Sequence, residues 1–209
     1  MSWGPDATRG LEAVLAAVDA AAVSAGGGAP VVLIDGPSGA GKSSLADLLL
    51  SRWPGDVAPR IVRMDDLYPG WDGLDAASDA LHAELLEPLA TSGRGRWRRW
   101  DWAGDRPAEW HEVTGRAPVL VEGCGTLAGA NVRWAHLALW LDADDELRKA
   151  RALDRDGATF ASHWDLWQSE FERYLHREDP RANADLVLDV TDWPIASAPR
   201  DATGTTVVP

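Results

Sequence analysis

The sequence predicts an α/β fold of three layers, in which helices cover both faces of a five-stranded parallel sheet, together with a short helical lid. Five short apolar segments alternate with helical patterns along the chain. A glycine-rich loop follows the first apolar segment, and carboxylates follow the second and third. Because ligands bind beyond the carboxyl ends of parallel strands, these features predict one site at one edge of the sheet.

The composition is ordinary for a globular domain, with 209 residues, 45% hydrophobic and 25% charged side chains. The net charge of −13 argues against a nucleic-acid or membrane-surface partner, because both need a broad positive field. No apolar run of the sequence reaches the roughly 20 residues that span a bilayer. The start has no signal-peptide pattern, and a single cysteine fits a reducing compartment, so we expect a cytoplasmic protein. A homo-oligomer stays open.

The first elements are the most specific. The pattern of residues 1–29 predicts an N-terminal helix at 8–25 that is followed by a glycine-rich linker. The buried strand 31–34 follows, and then Gly36 to Ser43 match the pattern G-x-x-x-x-G-K-[ST]. This P-loop forms a nest of N–H groups that points at a polyphosphate, together with the start of the next helix. Lys42 is expected to reach the β- and γ-phosphates of ATP, and the Ser43 hydroxyl to hold Mg²⁺.

The remaining elements complete one domain over 30–193. The predicted elements are a strand at 60–64, a helix at 75–89, a strand at 117–123, a strand at 133–142, helices at about 145–160 and 162–177, and a strand at 184–190. Arginines and tryptophans interleave at 93–112, where we expect a hairpin or irregular excursion over the site. The tail 194–209 is predicted to be disordered.

Several P-loop classes are excluded by missing signatures. The guanine-reading Asn/Thr-Lys-x-Asp stretch of GTPases is absent, and the strand before Glu122 lacks the second acid of motor-type ATPases. Four motifs in order then resemble the uridine kinase and phosphoribulokinase branch of the P-loop kinases. They are Gly36–Ser43, Met64-Asp65-Asp66-Leu67-Tyr68, Val121-Glu122-Gly123 and Arg148-x-x-Arg151-x-x-x-Arg155-Asp156. The resemblance, over 30–190, implies transfer of the γ-phosphoryl of ATP to a hydroxyl of a nucleoside-like acceptor.

The resemblance also assigns roles to residues. It places the catalytic carboxylate at Asp65, and the chemistry agrees, because an attacking hydroxyl needs an aligned acceptor for its proton. Asp66 is the fallback for this role. Glu122 is expected near Mg²⁺ through water. The predicted catalytic residues are thus Asp65, Lys42 and Arg155, and the metal residues are Ser43 and Glu122.

The lid is predicted at about 145–160. It carries Arg148, Arg151 and Arg155 at helical spacing, which places them on one face where they would close on ATP. The predicted ATP-binding residues are Gly36, Pro37, Ser38, Gly39, Ala40, Gly41, Lys42, Ser43, Ser44, Arg148 and Arg151.

The acceptor pocket departs from the family pattern, since Asp105 stands where the family has a histidine and Gly157-Ala158-Thr159 replaces its second basic cluster. The predicted substrate-binding residues are Asp65, Tyr68, Trp71, Asp72, Trp100, Asp105 and Arg106, and Trp102 is a further candidate for stacking on a planar group.

Two alternatives remain. The cluster Arg94, Arg96, Arg98 and Arg99 could hold a phosphate of the acceptor, which favours a nucleotide or other small-metabolite kinase. Outside the enzymes, arginine and tryptophan together are typical of single-stranded nucleic-acid binding, so the chain could be a non-catalytic ATP-binding switch or an RNA-interacting protein.

Overall fold

The computed structural model describes residues 4–194; the predicted tail beyond residue 194 lies outside them. The helices are α1 (Pro5–Ser24), α2 (Lys42–Ser51), α3 (Leu74–Ala80), α4 (Glu87–Ser92), α5 (Gly129–Val132) and α6 (Asp145–Glu178). The strands are β1 (Val31–Asp35), β2 (Arg60–Arg63), β3 (Arg94–Asp101), β4 (Arg106–Thr114), β5 (Val119–Glu122), β6 (Leu137–Asp142) and β7 (Leu186–Asp189). Met64–Asp66 forms a 3₁₀ turn, and Leu81–Leu86 is a π-helical segment.

Five strands form one parallel sheet in the order β2-β5-β1-β6-β7. The central strand β1 is buried along its whole length, as its apolar sequence predicts for a strand covered on both faces. Leu33 lies opposite Val121 on one side and Ala138 on the other. The predicted fold class is confirmed.

Helices cover both faces of this sheet. Val32 and Ile34 pack into the layer that contains α1 and α2, whereas Leu33 packs into the layer of α3, α4 and α6. The first layer includes the N-terminal helix, and the Trp193 ring lies so close to Gly10 that a Cβ there would be 2.3 Å from it. Helix α1 is therefore packed onto the sheet.

The segment predicted as a hairpin or irregular excursion forms an antiparallel hairpin of β3 and β4. Its register shifts between Arg98 and Trp100. The hairpin packs against the π-helical segment and α4 through buried Val113 and Leu85, among others. It therefore stands beside the main sheet without joining it.

Some element boundaries differ from the prediction. The strand predicted at 133–142 begins only at Leu137, because a turn that follows α5 occupies residues 133–136. The two helices predicted after β6 follow one another directly as α6, with a break at Gly157, whose φ of 68° and ψ of −153° are not helical. Within residues 4–194, none of the helices combines the length and apolar composition needed to cross a bilayer.

Candidate active site

The P-loop connects β1 to α2 with backbone conformations that need glycine. Gly39 and Gly41 have φ of 80° and 95°, in the left-handed region that side chains rarely adopt. A Cβ at Gly39 would also lie 1.9 Å from the carbonyl oxygen of Arg148, so the first turns of α6 press on the loop. The sequence pattern located this loop, and the structure adds its contact with α6.

Lys42 closes the loop on itself. Its side chain is 8% exposed, and Nζ donates to the carbonyl oxygens of Gly36 at 2.7 Å and Pro37 at 2.9 Å. Ser43 and Ser44 follow in the first turn of α2, where the backbone N–H groups carry the positive end of the helix dipole. The loop therefore presents a cation and helix N–H groups together, as polyphosphate binding requires.

Asp35 holds the loop to the rest of the molecule, a role that the sequence prediction missed. Its fully buried carboxylate accepts hydrogen bonds from the N–H groups of Gly36, Gly125 and Leu127 at 2.7, 3.1 and 2.9 Å, and from Tyr174 Oη at 2.7 Å. Burial raises the pKa of Asp35, and these hydrogen bonds only partly offset it. An acid that ends an apolar strand directly before a P-loop is the signal that could have found it.

Asp65 and Asp66 occupy the turn after β2, as predicted. The carbonyl oxygen of Asp65 accepts a hydrogen bond from Trp102 Nε1 at 2.8 Å, which ties the hairpin to this turn. Asp66 is half-buried, and burial together with the charge of Asp65 raises its pKa. Two adjacent carboxylates therefore lie at the carboxyl ends of the strands, on the side of the sheet where the P-loop follows β1.

Glu122 ends β5 and is buried, with an arginine as its partner. Its Oε1 accepts a hydrogen bond from Arg63 Nη1 at 3.1 Å, and Arg63 also pairs with Asp47 at 2.8 Å. The sequence prediction did not include Arg63. Within the described residues, no cluster of three or more histidine, cysteine, aspartate or glutamate side chains forms a metal site. Ser43 and Glu122 still supply the hard oxygen ligands that Mg²⁺ prefers, and Mg²⁺ commonly takes few ligands from the protein.

The lid arginines, predicted on one face, have separate partners. Arg148 is buried with Nε bonded to Asp145 at 2.6 Å, while its buried Nη1 has no hydrogen-bond partner within residues 4–194. Arg151 instead donates to the carbonyl oxygen of Thr191 at 3.3 Å. A shared helical spacing fixes the direction of the Cβ atoms, but each long side chain ends at the acceptor that packing brings within reach.

Arg155 is the lid arginine that faces the cleft described next. It forms a two-point ion pair with Asp156. Burial lowers its pKa, but the bonds to Asp156 and the charge of Asp65 outweigh this, so the pKa is raised. Arg155 is therefore charged and held beside the carboxylate pair.

A cleft of about 300 Å³ opens between the P-loop, the turn after β2, the hairpin and α6. It is lined by Ser38, Asp65, Asp66, Tyr68, Trp71, Trp102, Arg155, Asp156, Phe160 and Trp167. The predicted phosphate loop and the predicted catalytic acid thus border one cavity, which is the candidate active site.

Aromatic side chains form much of the lining of the cleft. Trp71 stacks on His163, with ring centroids 4.6 Å apart, and on Phe160 at 5.5 Å, and it lies 4.9 Å from the tilted Trp102 ring. Trp167 Nε1 donates to Ser38 Oγ of the P-loop at 2.8 Å. The sequence prediction did not include Phe160, His163 and Trp167 of α6. The available signal was the repeat of aromatic residues at helical spacing from residue 160 onward.

Four predicted substrate-binding residues do not line this cleft: Asp72, Trp100, Asp105 and Arg106. Trp100 lines a smaller pocket of about 170 Å³, together with Trp97 and Trp110. Asp105 lies at the hairpin turn with φ of 46°, and Arg106 is 3.6 Å from Asp101. Trp100 belongs to β3 and Trp102 to the turn after it, so strand alternation does not place them on one side.

Arginines of the hairpin are occupied by neighbours outside the cleft. Arg96 pairs with Glu84 at 2.9 Å and Arg99 with Glu109 at 2.6 Å. Arg98 donates to a backbone carbonyl of β4, and the Arg96 guanidinium lies 4.2 Å from the Trp110 ring centroid. None of these arginines, nor Arg94, lines the cleft, so the predicted grip on an acceptor phosphate has no support in this geometry.

Comparison with solved structures identifies the fold as that of P-loop kinases. The chain is similar to a possible uridine kinase from Bacillus stearothermophilus, with a TM-score of 0.57 and 18% identity, over 84% of this chain and 99% of that one. A candidate fructose transport system kinase from Silicibacter sp. TM1040 matches with a TM-score of 0.46 and 19% identity, over 80% and 98% of the two chains.

The similarity to the first of these structures shows a shared fold, and it agrees with the resemblance seen in the sequence motifs. A scan against protein-family models and a search of curated proteins gave no match.

Proposed function

We propose that the chain is an ATP- and Mg²⁺-dependent phosphotransferase that moves the γ-phosphoryl of ATP to a hydroxyl of a small acceptor. The observation that carries this proposal is the cleft of about 300 Å³, which Ser38 of the P-loop borders together with Asp65 and Arg155. A phosphate-binding loop, a carboxylate and a guanidinium around one cavity are the parts that phosphoryl transfer to an alcohol needs.

The P-loop side is proposed to bind ATP. The helix N–H groups and Lys42 offset the charge of the phosphates, and the buried Arg148 adds a cation beside the loop. Ser43 would hold Mg²⁺ directly and Glu122 through water, with the ion supplying further neutralisation of the phosphate charge. The Arg63 side chain occupies one Glu122 oxygen, which supports an outer role for that carboxylate.

Asp65 is proposed to accept the proton of the acceptor hydroxyl. The hydroxyl oxygen forms a bond to the γ-phosphorus, the bond from that phosphorus to the bridging oxygen breaks, and ADP leaves. An acceptor bound against Trp71, Trp102 and Phe160 would displace water from the cleft, which disfavours hydrolysis of ATP. Arg155 stabilises the charge that develops on the transferred group.

The acceptor is proposed to be a small alcohol. The sequence resemblance favours a nucleoside-like molecule, and the runner-up is a nucleotide or another small metabolite. Tyr68 and Trp71 line the cleft, but Tyr68 donates to the carbonyl of Cys124 and Trp71 stacks on His163. Both groups are therefore already engaged, which favours acceptors other than a flat base stacked on Trp71.

The test is ADP release from Mg-ATP across nucleosides, nucleotides, sugars and amino alcohols, for the wild type and Asp65→Asn. Loss of the proton acceptor should lower turnover by about a hundredfold or more, while ATP affinity is retained. Asp79→Asn, the same change at an exposed position of α3, is the matched control. ATP binding without turnover above the Asp65→Asn level would favour the non-catalytic switch, and a loss confined to Asp66→Asn would move the base to Asp66.

A further inference from the structure

Asp66 lines the cleft but has no part in the proposed transfer step. Its half-buried carboxylate makes no hydrogen bond or ion pair within residues 4–194. Arg63 and Arg99, whose charges act on Asp66, already pair with Glu122 and Glu109. A carboxylate held in partial burial beside a second one is electrostatically unfavourable, and a bound cation would relieve this.

Most of the charged side chains that line the cleft are negative. Asp65, Asp66 and Asp156 line it, against a single guanidinium, Arg155, which is engaged with Asp156. ATP with its Mg²⁺ brings no net positive charge to the acceptor end. An acceptor that carries a phosphate or carboxylate is therefore repelled, and one that carries a positive charge is attracted.

Aromatic rings complete the surroundings of the carboxylate pair. Trp71, Trp102 and Phe160 border the same cavity, and the Trp102 ring is fixed by its hydrogen bond to the Asp65 carbonyl. Tryptophan rings attract ammonium groups through their negative faces, most strongly where water is excluded. Carboxylates and rings in one cleft favour a ligand that is both cationic and partly apolar.

Building on the proposed function, we propose that the acceptor is a cationic amino alcohol or amino sugar. Its ammonium group lies between Asp66 and the Trp102 ring, and its hydroxyl faces Asp65. The hydroxyl oxygen is the atom that forms the new bond to phosphorus, since a protonated amine has no lone pair with which to attack. Its proton passes to Asp65, ADP leaves, and the amine stays charged throughout.

The experiment uses matched acceptors that differ in charge. One set is glucosamine, glucose and the phosphate ester of glucose; the other is choline and its uncharged carbon isostere. Binding to the full chain with Mg-ADP is followed by tryptophan fluorescence, and turnover by ADP release with Mg-ATP. We expect the amine of at least one set to exceed its neutral partner by about tenfold in affinity and in kcat/KM, and the phosphate ester to be the weakest.

Asp66→Asn should remove most of this preference, mainly through KM, whereas Asp79→Asn should keep it. Equal binding of amine and neutral partners in both sets, or a preference that survives Asp66→Asn, overturns the proposal while leaving a kinase in place. Amine-selective binding without ADP release from any acceptor supports the cationic site and contradicts the proposed transfer instead.

Discussion

The two walls of the cleft, a phosphate wall proposed to bind ATP and an acceptor wall proposed to bind the acceptor, are built in different ways. The phosphate wall is one continuous backbone segment, Gly36 to Ser43, whose shape follows from glycines and the start of α2. The acceptor wall is assembled from side chains of three separate segments, the turn at residues 65–71, the hairpin and the middle of α6. Its contacts join residues far apart in sequence, such as Trp102 with Asp65 and Trp167 with Ser38.

This difference teaches which part of a site a short motif can specify. Backbone N–H groups can bind phosphate without help from distant side chains, so a short loop motif is enough to specify this part of the site. Side-chain walls take their shape from packing and can change without altering the loop. Substitutions in the phosphate wall should therefore affect ATP and every acceptor alike, and those in the acceptor wall should affect acceptors selectively.

The largest effect is expected in the phosphate wall, at Lys42. Lys42→Ala should weaken Mg-ATP binding and lower turnover by about a thousandfold, because the cation that offsets developing phosphate charge is lost. The chain has one other lysine, Lys149, which is exposed on α6 and lies 5.2 Å from the Trp164 ring centroid. Lys149→Ala is thus the matched control for steady-state kinetics and ATP titration. Normal turnover in Lys42→Ala would refute the assignment of the loop.

The next largest effect is expected at Asp35, whose hydrogen bonds connect the P-loop to the rest of the molecule. All four partners of Asp35 are donors, so Asp35→Asn directs an amide N–H₂ group at another donor. We expect a loss of about 2 kcal/mol in the free energy of unfolding. Urea denaturation measures it, with Asp19→Asn on the exposed side of α1 as control. An unchanged midpoint would mean that the loop does not depend on this buried carboxylate.

The difference in the free energy of unfolding between the wild type and Asp35→Asn should also depend on pH. Burial raises the pKa of Asp35 above the value near 3.8 of the unfolded chain, so the folded state binds the proton more tightly. The stability due to this proton is present below the unfolded pKa and is lost as the pH rises through the folded pKa. The difference between wild type and Asp35→Asn should accordingly shrink with rising pH across that window. A difference that grows with pH would contradict the raised pKa.

The smallest effect is expected in the acceptor wall. Trp102→Phe keeps an aromatic ring but removes the hydrogen bond to the Asp65 carbonyl, so the acceptor KM should rise about threefold to tenfold. ATP affinity should stay constant. Trp110→Phe is the matched control, because Trp110 lies on the same hairpin and is exposed to a similar extent, 45% against 39% for Trp102. An equal change in ATP affinity would show that the two walls are not independent.

Much of the fold was predictable because its signals are local. The apolar segments at 31–34 and 117–123 predicted buried strands, and the P-loop pattern between strand and helix predicted the backbone of the phosphate wall. The position of Asp65 directly after β2 was also predictable, because an apolar strand precedes it and parallel strands bring their carboxyl ends to one side of the sheet. Strand and helix boundaries shifted by a few residues where α5 and the break at Gly157 intervene.

The sequence by itself therefore determined the sheet, the loop and the acid at its edge, since each depends on periodicity and backbone preferences within a short segment. Only the tertiary structure decided that Asp35 ties the loop to Tyr174, 139 residues away, and that Trp102 and not Trp100 borders the cleft. It also decided that the side chains of Arg148, Arg151 and Arg155 bind different partners instead of sharing one site. The destination of a long side chain depends on which distant segment packs within its reach, and no local pattern encodes that distance.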